Sequence, residues 1–595
     1  MESKSFFKSW GAEYVSDNTV RFRLWAPGQD SVQLRLSGKD TEMRPCGEGW
    51  FELRVTEVMP CAEYNFVLAD GTVVPDPASR GQKTAVNGPS LVIDPTRYVW
   101  QNSEWRGRPW EESVIYEMHF GTFTPQGTFQ AAINKLSYLA GLGITMIEVM
   151  PLAQFGGSRG WGYDGVLLYA PHSAYGTPDD FKAFVDAAHG YGLSVVLDIV
   201  LNHFGPEGNY LPLLAPDFFH QERMTPWGAG IAYDVDATRR YMVEAPLYWL
   251  EEFNLDGLRF DAIDQIEDNS DKHVLIEIAE RIRAGITNRP IHLTTEDSRN
   301  VTFLHPREKD GSVPLFTGEW NDDFHNAVHV FATGETHGYY QDFAHQPETL
   351  VARTLTEGFA YQGEVSAQTG EKRGVTSTCQ PPVAFVDFIQ NHDQVGNRAQ
   401  GERLIELAGA DRTKVLLASL LLSPHIPLLF MGEEYGETHP FLFFTDFHGE
   451  LANAVREGRA KEFAGHAGHE DESVPDPNAK STFEMSKLDW KKQDSDDGKA
   501  WLALTSELLA LRQICIVPLL ATAGGNTGQI VQSAEGFFAV TWAFPQGMLS
   551  MALNIGETTQ PLPDQPGTTI FAWPKAGHDL PQNAIIVRLA AGDAM

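Results

Sequence analysis

From residue 114 onward the sequence repeats one alternation eight times: a short apolar run rich in β-branched and aromatic residues, then a longer stretch of helical periodicity. The runs fall at 114–120, 145–150, 194–201, 257–260, 291–295, 315–319, 384–390 and 426–431. Between them lie segments such as "PDDFKAFVDAAHGYGL" and "SDKHVLIEIAERIRAG", whose apolar residues recur every third or fourth position. Apolar strands joined by helices build a parallel sheet covered on both faces, and eight of them close into a (β/α)8 TIM barrel. An open, doubly wound sheet is the alternative, but no GxGxxG follows any of the runs.

The flanks obey a different grammar. "VRFRLWAP", "SVQLRL", "FELRV" and "EYNFVLADGTVV" alternate in the manner of short strands, the last with an Asp-Gly hairpin signal. Residues 1–95 are therefore expected to form an immunoglobulin-like β-sandwich, and 96–111 a linker. The barrel is expected over 112–513, with a short insertion at 204–236. "GQIVQSAEGFFAVTWAF", "GMLSMALNI" and "AIIVRLAA" then predict a C-terminal β-sandwich over 514–595. Residues 457–495, rich in Asp, Glu, His and Gly, read as a long and partly mobile excursion of the barrel.

Charge narrows the function. Against 45 basic residues stand 79 acidic ones, a formal net charge of −34. Such a surface repels nucleic acid and anionic lipid, so neither is an expected partner, whereas a neutral ligand such as carbohydrate meets no such barrier. No window approaches 18 uninterrupted apolar residues, and no membrane span is expected. "MESKSFFKSWGAEYV" has no apolar signal core. The four cysteines, Cys46, Cys61, Cys379 and Cys515, form no CxxC pair; a Cys46–Cys61 disulfide is conceivable, but reduced thiols in a cytoplasm are the expectation.

In such a barrel the chemistry sits where the strands end, and four of the runs end in polar groups. The third reads "LDIVLNH", bringing Asp198, Asn202 and His203; the fourth reads "GLRFDAID", bringing Arg259 and Asp261; the fifth ends in Glu296 and Asp297. The seventh passes into "FIQNHDQVGNR", with Asn391, His392 and Asp393. Each has a bland reading as a turn, a cap or a structural ion pair. Together they gather carboxylates on one rim, and glycosidic cleavage needs three: one to attack the anomeric carbon, one to protonate the leaving oxygen, and one whose charge stabilises the oxocarbenium-like transition state. Arg259 and Asp261, two apart on a strand, share one face. The arginine there would keep Asp261 ionised and aimed, and His203 and His392 are suited to donate to sugar hydroxyls. No cofactor is required.

"DIVLNH", "GLRFD", "TTED" and "QNHD" resemble, in order and spacing, the four signature regions of the α-amylase superfamily. The resemblance implies that Asp261 is the nucleophile, Glu296 the general acid/base and Asp393 the transition-state stabiliser, with Asp198, His203, Arg259 and His392 lining the subsite of the attacked glucose. "WGYDG" resembles the segment whose tyrosine stacks on that sugar, here Tyr163. Asn202 occupies a place that ligates calcium in some amylases, but the following loop is poor in paired acids and no metal is expected.

"PLAQFGGSRGWGYDGV", "EWNDDFHNAVHVFATGETHGYYQDF" and "PLLFMGEEYGETHPFLFFTDF" are more narrowly similar to the family of malto-oligosyltrehalose trehalohydrolases. This implies hydrolysis of the α-1,4 bond beside a terminal trehalose, with maltooligosyltrehalose and maltooligosaccharides as ligands. A glucan branching enzyme or general α-amylase-type hydrolase is the alternative, and a glucan-binding scaffold with a dead site the non-enzymatic one. Asp264 and Gln265 stand where relatives often carry His or Lys-His near the leaving-group sugar. Trehalose recognition is expected from the segment after the sixth run, through Trp320, Asp322, Asp323 and His325. A monomer or weak homodimer is expected.

Overall fold

The computed structural model describes residues 8–16, 18–225, 227–463, 474–574 and 579–592. Part of the excursion expected to be mobile, 464–473, lies outside the described residues.

Eight parallel strands form a closed barrel in chain order: Ile115–Met118, Met146–Val149, Ser194–Ile199, Gly257–Phe260, His292–Thr295, Gly318–Trp320, Phe385–Asp387 and Ile426–Phe430. Seven of them lie within the runs read from the sequence. The sixth is displaced, starting at Gly318 rather than Leu315. The backbone of the expected run is already engaged elsewhere: the Leu315 carbonyl accepts from the Arg283 guanidinium at 2.7 Å, and the Phe316 amide donates to the Leu304 carbonyl at 3.1 Å.

Local chemistry sets where the helices begin. The helix Pro178–Gly190 starts with Pro at its first turn and a capping box in which Thr177 and Asp180 satisfy each other's backbone amides. Asn321 caps Asp322–Thr333, and Asn391 caps the short helix His392–Gly396. Gly257 opens the fourth strand where a β-carbon would stand 2.1 Å from the His292 carbonyl oxygen, so only glycine lets strands four and five approach.

Two sheets, of four and five strands, make the N-terminal sandwich. It is fastened to the barrel near the insertion: Ser9 binds the Glu244 carboxylate, Trp10 donates from its indole to the Ala237 carbonyl, and Gly28 donates from its amide to the Leu214 carbonyl. The C-terminal domain has one five-stranded and one two-stranded antiparallel sheet. The helical run Asp496–Leu520 crosses the boundary read at 513/514. It is long and apolar enough to span a bilayer, yet here it buries Trp501, Leu504, Leu508 and Leu509 in the protein core. Arg512, within this run, donates to the carbonyls of Leu421, Ser423 and His425 and thereby ties the run to the start of the eighth strand. All four cysteines are free thiols.

Candidate active site

Arg259 organises the rim. Its side chain is 1% exposed, and its terminal nitrogens reach Asp198 at 2.6 Å, Asp261 at 2.9 Å and Glu296 at 2.5 Å. A guanidinium so far from water needs carboxylate partners, and here it has three. The fourth-strand chain turns sharply just past Asp261: Ala262 holds a left-handed φ of 40°, unusual for a residue with a β-carbon. That turn aims the Ala262 amide at the Glu296 carboxylate, 3.1 Å away. Asn202 donates its side-chain amide to the Asp261 carbonyl at 2.9 Å and to the Asp261 carboxylate at 3.1 Å. Its one side-chain nitrogen is thus engaged in fixing Asp261.

Asp261 and Glu296 therefore share a cation but not an environment. Burial pushes both carboxyls above their ordinary values, and Arg259 pulls both back. The charge of Asp198 raises Asp261 while Asn202 favours its ionised form, and the charge of Asp261 raises Glu296 while the Ala262 amide favours its ionised form. When two acids interact this way the first to ionise holds the proton on the second. A retaining cleavage would use one of the pair as carboxylate and the other as carboxylic acid. Asp393 sits in the first turn of its short helix and accepts from Asn397 at 2.6 Å. Asn391 is a helix cap, as the bland reading had it, while the two residues after it join the site.

Tyr163 follows Gly162, whose φ of 107° leaves a β-carbon 2.0 Å from the Pro151 carbonyl oxygen. The tyrosine hydroxyl donates to Asp198 at 2.6 Å, and its ring stacks on His392 at 5.1 Å. Asp198 keeps its other carboxylate oxygen without a hydrogen bond to any described residue.

Four expectations change. His203 is not left to donate to a sugar: its Nε2 is 3.0 Å from the Tyr163 carbonyl, its Nδ1 faces the Asn202 side-chain oxygen, and its ring is stacked under Trp227 at 4.7 Å. Trp320 is 2% exposed and lies beneath the Arg259 guanidinium at 4.2 Å, supporting the cation rather than meeting ligand. His325 is buried, bonded to the Ile389 carbonyl and the Tyr340 hydroxyl. Asp323 is fully buried and paired with Arg373; it also accepts from Asn300 and from the amides of Ala360 and Tyr361 at 2.8–2.9 Å. It is a structural anchor, and Asp323→Ala is expected to cost about 3–5 kcal/mol of stability, the usual consequence of breaking a buried ion pair, readable by chemical unfolding. A loss below about 1 kcal/mol would refute this anchoring role. Its neighbour Asp322 does face the acids: after burial, Glu296 and Asp393 are the strongest influences raising its carboxyl.

Three residues were not read from the sequence. Glu117 and Glu148 sit on the first two strands, each 1% exposed, and Trp227 tips the hairpin Phe219–Thr225/Gly228–Ile231 at 50% exposure. A charged residue inside an otherwise apolar run, as in "IYEM" and "MIEV", was the available signal for the two glutamates.

The family signature for the α-amylase catalytic domain matches residues 84–212 and 218–507. A malto-oligosyltrehalose trehalohydrolase of Deinococcus radiodurans is 44% identical over 497 residues, covering 83% of this chain and 81% of that protein. Another, from a Rhizobium species, is 39% identical over 567 residues and covers 93% of each. A Salmonella typhimurium crystal structure, provisionally described as an α-amylase, superposes with a TM-score of 0.97 at 74% identity, covering 98% of this chain and 100% of that one. The chain belongs to the α-amylase family of glycoside hydrolases and, within it, to the malto-oligosyltrehalose trehalohydrolases.

Proposed function

We propose that the protein hydrolyses the α-1,4-glucosidic bond next to the terminal trehalose of maltooligosyltrehalose, releasing trehalose and a maltooligosaccharide. The observation that carries the chemistry is the single guanidinium of Arg259 holding Asp198, Asp261 and Glu296 together. Asp261 attacks the anomeric carbon as Glu296 gives its proton to the departing glycosidic oxygen, and trehalose leaves. The covalent glycosyl–Asp261 ester is then cleaved by water, whose proton passes to Glu296, restoring both groups and the original anomeric configuration. Asp393 stabilises positive charge building on the sugar ring.

The substrate reading rests on the relatives' activity and on what selectivity requires. The barrel chemistry cuts any α-1,4 glucan that fits, so a preference for trehalose must come from polar groups on the leaving-group side. Asp322, at the start of the helix after the sixth strand, is the candidate. A polar group left unpaired by the wrong ligand costs about 1–3 kcal/mol, enough for roughly tenfold selectivity or more.

Maltotriosyltrehalose and maltopentaose, incubated separately, are expected to give trehalose from the first at a rate far above any product from the second. Asp322→Ala should lower the first rate by about tenfold more than the second. Equal wild-type rates on both would support instead a general α-amylase-type hydrolase, the reading suggested by the description of the Salmonella structure, and branched glucan as product would support a branching enzyme.

A further inference from the structure

Behind the catalytic carboxylates, in the wall of the barrel, lies a second charged assembly. Glu117, on the first strand, accepts two hydrogen bonds from one residue: the backbone amide of His392 at 2.9 Å and its ring Nδ1 at 2.5 Å. Both side chains are nearly sealed, at 2% and 3% exposure. The His392 ring is confined on its other sides by Tyr163, stacked at 5.1 Å, and by Trp161, edge-on at 5.5 Å. Trp320 lies at 6.3 Å. With Nδ1 taken, Nε2 is the ring nitrogen left for a ligand, and no described residue hydrogen-bonds it.

Glu148 stands directly opposite Glu117 in the register of strands one and two. It is 1% exposed, and neither of its oxygens has a hydrogen-bond partner among the described residues. Two anions side by side in this wall would repel strongly. Burial first, and then the charge of Glu117, hold the Glu148 carboxyl well above the ordinary range, so it keeps its proton. Glu117 is the carboxyl that faces the imidazole.

We propose that Glu117 is a positioning residue for the hydrolysis: it fixes His392 as the second cation of the carboxylate cluster, beside Arg259, with its Nε2–H kept for a sugar hydroxyl. The inference rests on the glycosidase reading but not on the trehalose specificity. Its electrostatic reach is visible in the acids. The charge of His392 lowers Asp198, Asp261, Glu296 and Asp393, each of which burial raises. Burial opposes the charged form of His392 most strongly and Arg259 opposes it too; Glu117 and Asp393 favour it, as do Asp198, Asp261 and Glu296, and the balance lies above the ordinary histidine value. His119, from the end of the first strand, feels the same positive charge.

The sign follows. A histidine raised by an anion keeps its proton below the raised value and loses it as pH climbs through that value; without the anion the loss comes at lower pH. In the full-length protein labelled with 15N-histidine, the His392 resonances, identified by their absence from His392→Gln, are expected to show both ring nitrogens protonated at about pH 7. In Glu117→Gln the ring should be neutral at that pH. The variant's kcat/KM on whichever α-1,4 substrate is turned over should fall by about tenfold or more near pH 7, with the deficit shrinking toward pH 5.5. A neutral His392 in the unaltered protein would overturn the proposal, and that measurement does not depend on the variant folding. So would a Glu117→Gln defect of equal size at every pH, which marks a purely structural contact. The ring measurement needs no substrate, so failure of the trehalose assignment leaves it intact.

Discussion

Asp261→Asn is expected to reduce turnover by on the order of 10⁴-fold or more, because no neighbour can supply a second nucleophile for the covalent step. The neighbouring carboxylates are held in other contacts. Asp198 holds Tyr163 and Arg259, and Glu296 is bound to Arg259 and to the Ala262 amide. Glu296→Gln should behave differently. Loss of general-acid help typically costs about 10²–10⁴-fold on a natural glucan, and far less on an aryl glucoside whose leaving group needs no proton. The asparagine variant, by contrast, should be dead on both. Equal losses for the two variants on both substrates would mean that the roles are wrongly divided. A ligand-bound crystal structure provides a second check: the Asp261 and Glu296 carboxyls should stand about 5–5.5 Å apart, as in retaining enzymes, rather than the roughly 6.5–9.5 Å of inverting ones.

The second large effect belongs to Arg259. Arg259→Met removes the cation shared by Asp198, Asp261 and Glu296 while leaving a side chain of similar reach. Breaking a buried ion pair by removing one partner costs about 3–5 kcal/mol, and here three carboxylates are stranded together. The pH dependence has a definite direction. Without the guanidinium, the folded-state carboxyls rise further above their unfolded values. The folded protein then binds more protons than the unfolded one, and its stability falls as pH rises through the window between the two. The stability deficit of Arg259→Met relative to the unaltered protein should therefore be largest near neutral pH and should narrow toward about pH 5. Activity should fall with it, since Asp261 loses the partner that favours its charged form. Arg259→Lys is expected to rescue only partly, because one ammonium cannot reproduce the planar fork that reaches Asp261 and Asp198 from one nitrogen and Glu296 from the other. A deficit that does not change with pH would show that packing over Trp320, rather than charge, is what Arg259 contributes.

Much of this molecule was legible in the chain because its information is local. The eight apolar runs and intervening helical periods specify a barrel through the spacing of side chains alone, and seven of the eight strands lie inside the runs that predicted them. The candidate carboxylates could be placed on one rim because a β/α barrel brings its strand ends together there, so position along a run already implies position in space. Arg259 and Asp261 share a face for the simplest of reasons, the two-residue period of a strand.

What the sequence could not decide is which polar groups face ligand and which face one another. Asp322 and Asp323 are adjacent on one helix start, yet a rotation of about 100° per residue turns one toward Glu296 and Asp393 and the other into a closed nest with Arg373. His203 and His392 both follow a strand within an "NH" pair, but Asn202, Tyr163 and Trp227 enclose the first, whereas Glu117 leaves one nitrogen of the second free of described partners. The Glu117–His392 contact spans 275 positions and the Tyr163–Asp198 contact 35. Such pairings arise only when the barrel closes and brings its first and seventh strand ends to one rim, so they belong to the tertiary structure and to no local pattern in the chain.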